Sequence, residues 1–134
     1  MLRYSFQSAV NDGLEQMLVE VDFRNARPVD TVHLGEKCLY YPHMLKMRYL
    51  PYDKIQWAYL RAEENRMSMC CGKAFVDIWY LILYADGKQV AKIEFQKKET
   101  AKKALEVLAE RAPRCLIGYN ADTKAQWERI CAGE

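Results

Sequence analysis

Ile78-Trp79-Tyr80-Leu81-Ile82-Leu83-Tyr84-Ala85-Asp86-Gly87-Lys88-Gln89-Val90-Ala91-Lys92-Ile93-Glu94-Phe95 reads as a β-hairpin, and that reading decides the fold class. A type I′ turn needs positive φ at both central residues, and Asp86-Gly87 between two β-prone runs supplies residues that tolerate it. The strand before the turn reaches back to Ala74 and is apolar on both faces apart from Asp77, as expected of a strand with neighbours on both sides. The strand after the turn alternates, with Ala91, Ile93 and Phe95 on one face and Lys92, Glu94 and Gln96 on the other.

On the C-terminal side the period changes from two to 3.6. Ala101, Ala104, Leu105, Leu108 and Ala112 make an apolar stripe, so a helix is expected from about Glu99 to Ala112, ended by Pro113. Cys115-Leu116-Ile117-Gly118-Tyr119 fits a short last strand. Thr123 with Gln126 has the spacing of a capping box, opening a final helix with Trp127, Ile130 and Cys131 on one side.

On the N-terminal side, Thr31–Leu34, Cys38–Tyr41 and Met47–Leu50 are short strand-like runs, followed by Ile55–Arg61 with Ile55, Trp57 and Tyr59 on one face. Pro51 ends the third run or marks an edge. The polar, sulfur-rich segment Glu63–Gly72 is expected to be a loop or a ragged hairpin tip. Earlier still, Phe6, Val10, Leu14, Met17, Leu18 and Val21 recur at helical spacing, predicting a helix over about residues 4–22. Arg24–Pro28 reads as its connection to the sheet.

The order is helix, antiparallel meander, then amphipathic helix. That is an α+β pattern in which a sheet curls around a C-terminal helix. Leu50-Pro51-Tyr52-Asp53-Lys54-Ile55, Cys70-Cys71-Gly72-Lys73-Ala74 and the hairpin-plus-helix from Ile78 to Ala112 resemble small bacterial pleckstrin-homology-like (PH-like) proteins of unknown function. The resemblance covers roughly residues 30–112. It implies a curled antiparallel sheet or partly open barrel closed by a C-terminal helix, on a scaffold that usually binds things. Residues 1–28 and 114–134 lie outside it. The whole of 1–134 is read as a single domain, with the N-terminal helix and the C-terminal extension either covering the barrel or building a dimer.

Composition bounds the function. Apolar residues make up 51% of the 134 residues, enough to bury a core. The net charge of +2 is spread evenly and leaves no basic stripe for phosphates, which argues against nucleic acid. No apolar run approaches the roughly 20 residues that span a bilayer. A lipid-headgroup role lacks a basic loop between the first strands, where Lys37, Lys46 and Arg48 are the cations. Five cysteines at irregular spacing, with no cleavable leader pattern, point to a reducing bacterial cytoplasm.

Catalytic patterns are missing: there is no Gly-x-Ser-x-Gly elbow, no phosphate-binding glycine loop, and only His33 and His43 as imidazoles. No cofactor is expected. Cys70-Cys71 is the one unusual thiol motif, open to three readings: neutral thiols, a redox pair, or a weak metal site completed by His33, His43 or Cys38. The aromatic-rich stretch Tyr40–Tyr59 is mostly core in this reading. Tyr41 and Tyr52, beside Pro42 and Pro51, are candidate exposed anchors for a protein interface, and Trp127 is a third. The expected function is a non-enzymatic binding or self-association module, with a protein partner or a second copy. A thiol-dependent or metal-binding protein centred on Cys70 and Cys71 is the alternative.

Overall fold

The computed structural model describes residues 5–10, 14–69 and 72–133, and side chains throughout these except between 65 and 76. The order is β1 (Phe6–Ser8), α1 (Gln16–Arg24), β2 (Arg27–Val29), β3 (Val32–Leu34), β4 (Cys38–His43), β5 (Lys46–Pro51), β6 (Trp57–Met69), β7 (Gly72–Ala85), β8 (Lys88–Phe95), α2 (Lys98–Arg111), β9 (Leu116–Ile117) and α3 (Ala121–Cys131). The fold is mixed α+β. Instead of one curled sheet it has two, ordered β1-β5-β4-β3-β2 and β8-β7-β6-β9, and neither closes.

Turn chemistry sets the first layer of this structure. Asp86 and Gly87 take φ 53° and 76°, so the β7–β8 hairpin turns as the sequence predicts. Two further hairpins carry a left-handed residue in the turn: Asp30, of a type that tolerates it, between β2 and β3, and Met44, of a less suitable type, between β4 and β5.

The main core lies between the sheets. Val32, Leu34, Leu39, Leu50, Leu81, Leu83, Ile93 and Phe95 meet there, and α2 seals it with Ala101, Ala104, Val107 and Leu108. Ala101, Ala104 and Leu108 belong to the predicted stripe, Val107 joins them in place of the half-buried Leu105, and the helix touches both sheets. The outer face of the first sheet carries Cys38, Tyr40, Met47 and Tyr49, covered by Val19 and Phe23 of α1 and by Phe6 of β1. The outer face of the second sheet carries Trp57, Tyr59 and Ile82 under Trp127 of α3. Part of each sheet is therefore covered on both faces, which accounts for strands that lack clean alternation, while β8 keeps one face exposed.

Three expectations change or narrow. The predicted helix over 4–22 divides: Phe6–Ser8 is a strand paired in parallel with β5, and the helix begins at Gln16. Of the two readings of Glu63–Gly72, loop or ragged hairpin tip, the hairpin is the one found, with β6 and β7 regularly paired from Trp57↔Tyr84 out to Met69↔Gly72. That ribbon runs beyond the end of β8, which pairs only as far as Trp79↔Phe95. The final helix is capped by Asn120, whose side chain accepts from Thr123 N at 2.9 Å, while Thr123 Oγ1 accepts from Asn120 N at 3.0 Å. Thr123 is thus the third residue of the box instead of its first.

One face stays bare. Leu14, Met17, Leu18 and Val21, spaced as one helical stripe, point to solvent, and the buried residue of α1 is Val19. No helix among the described residues is long and apolar enough to cross a membrane.

Candidate binding groove

Tyr41 and Arg48 are directly opposed on the β4–β5 ladder, one step beyond the core pair Leu39↔Leu50 and one step before the turn pair His43↔Lys46. Because strand side chains alternate, all three pairs share the inner face of the sheet, and polarity rises along it towards the open end. Tyr41 is 4% exposed, yet neither its hydroxyl nor Arg48 Nε has a hydrogen-bond partner among the described residues. Burial pushes the Tyr41 phenol up from its ordinary pKa, and the adjacent guanidinium acts the other way.

This pair lines a groove of about 610 Å³. Asp30 and Thr31 of the β2–β3 turn border one end, Pro42 and His43 another, and β8 forms the opposite wall. Val90, Ala91, Lys92, Ile93 and Glu94 line it without a gap. The β7–β8 register steps from Leu83↔Ala91 to Tyr84↔Gln89, which leaves Val90 as the extra residue of a bulge at this wall. The Lys92 ammonium is held by Glu63 at 3.1 Å and lies over the Tyr80 ring. Arg48 has no ion-pair partner among the described residues.

The anchors expected from sequence are not exposed. Tyr41 is the groove's buried hydroxyl. Tyr52, 5% exposed, donates its hydroxyl to Gly35 O at 2.7 Å and clamps the β3–β4 loop together with Arg111, which donates to Leu34 O at 2.8 Å and to Gly35 O. Burial raises the Tyr52 phenol, keeping it a donor. Trp127, 8% exposed, fixes α3 to its own chain: its ring lies 5.0 Å from Tyr84 and 5.8 Å from Trp57. All three are buried; Tyr52 and Trp127 are held by partners inside the fold, while Tyr41 lines the groove. Tyr119 is the aromatic the sequence did not single out. It stacks on Trp57 at 5.5 Å and remains exposed beside a shallower hollow of about 420 Å³ lined with Tyr59, Leu60 and Arg61. Two of its polar side chains are paired, Tyr59 with the Tyr84 hydroxyl at 3.3 Å and Arg61 with Glu63 at 3.4 Å.

Cys70 and Cys71 lie outside the described residues. Cys38 and Cys115 are buried, and desolvation pushes each thiol up to about 12. Cys131 is exposed. His33 sits on the outer face beside Phe23, its pKa lowered by burial, and His43 is exposed at the groove mouth, so the two imidazoles do not converge. No cluster of three or more metal-ligating side chains occurs among the described residues.

What the sequence reading missed is Arg48 and the β8 edge. Arg48 was visible as a cation inside an apolar run, Met47-Arg48-Tyr49-Leu50, at inward parity with Leu50. No curated protein and no solved structure matches this chain. A family model described as Domain of unknown function (DUF6709) matches residues 4–127, and the chain belongs to that family.

Proposed function

We propose that this chain is a non-enzymatic binding module on a PH-like scaffold, and that its ligand sits in the groove between β8 and the β4–β5 hairpin. The PH-like assignment draws support from the element order: a four-strand meander (β2–β5), a three-strand meander (β6–β8), then a helix against both. Fold alone names no function.

The observation that carries the binding reading is the pair of unpartnered buried atoms, Tyr41 Oη and Arg48 Nε. A buried polar group without a partner costs about 1–3 kcal/mol. The two side chains face each other, with the Arg48 guanidinium acting on the phenol. No other described residue uses either atom, and an acceptor entering from the groove between them would complete both. Their chemistry favours binding over catalysis. Burial holds the phenol in its donor form, and a guanidinium offers N–H donors and no acceptor, so both groups suit the binding of an acceptor.

Tyr41→Phe tests this directly by urea unfolding. Removing a buried hydroxyl that has no hydrogen-bond partner among the described residues should raise stability by about 1 kcal/mol with the m-value unchanged. A loss of 1 kcal/mol or more would mean that the hydroxyl serves the fold, and the groove would lose its claim to a ligand.

A further inference from the structure

Among the described residues β8 ends its sheet and pairs with β7 alone. Side chains of successive strand residues leave opposite faces. A groove touched by Val90, Ala91, Lys92, Ile93 and Glu94 in unbroken succession must therefore run beside the strand, along its unpaired edge. That edge presents backbone N–H and C=O groups in alternation, a pattern a second extended chain satisfies.

Across the groove stand the Tyr41 hydroxyl and the Arg48 guanidinium. A guanidinium has no acceptor, so a group that completes both must bring acceptor oxygens, and a negative charge there is paired as well as hydrogen-bonded. The rim limits how much charge is welcome. Asp30 and Glu94 also line the groove, and Lys92 is already engaged by Glu63. One guanidinium facing two rim carboxylates suits a monoanion better than a phosphate dianion. Val90, Ala91 and Pro42 supply apolar lining for the residues that flank it.

We infer that the groove takes an extended peptide with a single acidic residue, which adds to β8 as a further strand and sets that Asp or Glu carboxylate between Tyr41 and Arg48. This rests on the groove being the binding site.

The test uses the full chain labelled with 15N and two pools of acetylated, amidated hexapeptides. The pools are randomised except for Asp or Asn fixed at the third position. The Asp pool should shift the backbone amides of Val90 to Glu94 together with the Arg48 Nε–H resonance, at an apparent affinity tenfold or more tighter than the Asn pool. Arg48→Gln should bring the two pools level. Tyr41→Phe, which removes only a hydroxyl and keeps the fold, should weaken the Asp pool several-fold and leave the Asn pool unchanged. Equal binding of both pools in the groove would overturn the carboxylate assignment while the binding reading stood. Acetate or inorganic phosphate moving Arg48 as strongly as the Asp pool, with β8 amides unmoved, would overturn strand addition. No groove resonance moving with either pool would overturn both this inference and the binding reading beneath it.

Discussion

The Asp22 carboxylate occupies the space that a side chain at Gly35 would need. Asp22 lies on α1 and accepts from Glu36 N at 2.9 Å, Cys38 N at 3.1 Å and the Tyr40 hydroxyl at 2.7 Å, with Lys37 N at 3.2 Å. One carboxylate thus ties the helix to the start of β4, and the missing Cβ at Gly35 makes the approach possible. Gly35 itself does not adopt a left-handed backbone, so steric contact accounts for its identity.

Gly35→Ala should therefore destabilise the chain by about 2 kcal/mol or more, because the carboxylate has to leave donors that hold it. Asp22→Ala should be destabilising too. In an Asp22→Ala background the Gly35→Ala change should cost little, a coupling read by a double-mutant cycle in urea. Strict additivity of the two changes would refute the steric relationship.

The β4–β5 turn offers the opposite case, a residue whose replacement helps. Met44 is 91% exposed and sits at φ 56°, a conformation that costs a residue with a Cβ about 1–2 kcal/mol. Met44→Gly should raise Tm by roughly 2–4 °C, after allowing for the entropy glycine adds to the unfolded chain. Leu45, its equally exposed neighbour, has no positive φ, and Leu45→Gly should lower Tm. A Met44→Gly variant melting below the parent would argue against this turn.

On α1 the sequence and the structure disagree about which side faces in, and two truncations separate them. Val19 is buried against Tyr40 and Met47, whereas Met17 is 70% exposed. Val19→Ala should cost about 1–2 kcal/mol, partly offset by the better helix propensity of Ala. Met17→Ala should lie within about 0.5 kcal/mol of the parent. The reverse ranking in thermal or urea unfolding would turn the helix over.

The reason for that disagreement is physical. Leu14, Met17, Leu18 and Val21 carry a helical period and the helix exists, but period says which residues share a face and not what that face meets. Phe6 belongs to the same numerical pattern, yet it pairs with Met47, more than forty residues away, and a three-residue strand leaves no periodic trace of such a partner. Where the signal was local, it held. Asp86-Gly87 specifies its own turn, and the stripe of α2 specifies its own buried face. The groove was the least legible part. Its Tyr41–Arg48 pair depends on β4–β5 register, and its far wall depends on how two sheets stack, neither of which is written in a spacing. Tyr52 misled for a related reason: a tyrosine beside a proline looked like a surface residue, but its hydroxyl has a backbone carbonyl to reach inside the fold.

The thiols give the last prediction, and its sign follows from burial. Cys38 and Cys115 are held as neutral thiols up to about pH 12, against an ordinary value of 9.0, chiefly by desolvation, with Asp22 also raising Cys38. The native state then keeps protons that the unfolded chain gives up. Their contribution to stability is complete below pH 9.0 and is lost as pH climbs from there towards 12. The buried phenols of Tyr40 and Tyr52 are shifted in the same direction and add to the alkaline loss. Unfolding midpoints measured from pH 7 upwards should fall above about pH 9, and Cys38→Ala with Cys115→Ala should flatten that fall. At pH 8 the exposed Cys131 should react quickly with a thiol reagent, while Cys38 and Cys115 react only as the chain unfolds. Fast labelling of Cys38 or Cys115 in the native protein would contradict their burial, whereas fast labelling confined to Cys131 and to Cys70 and Cys71 would direct attention back to the paired cysteines.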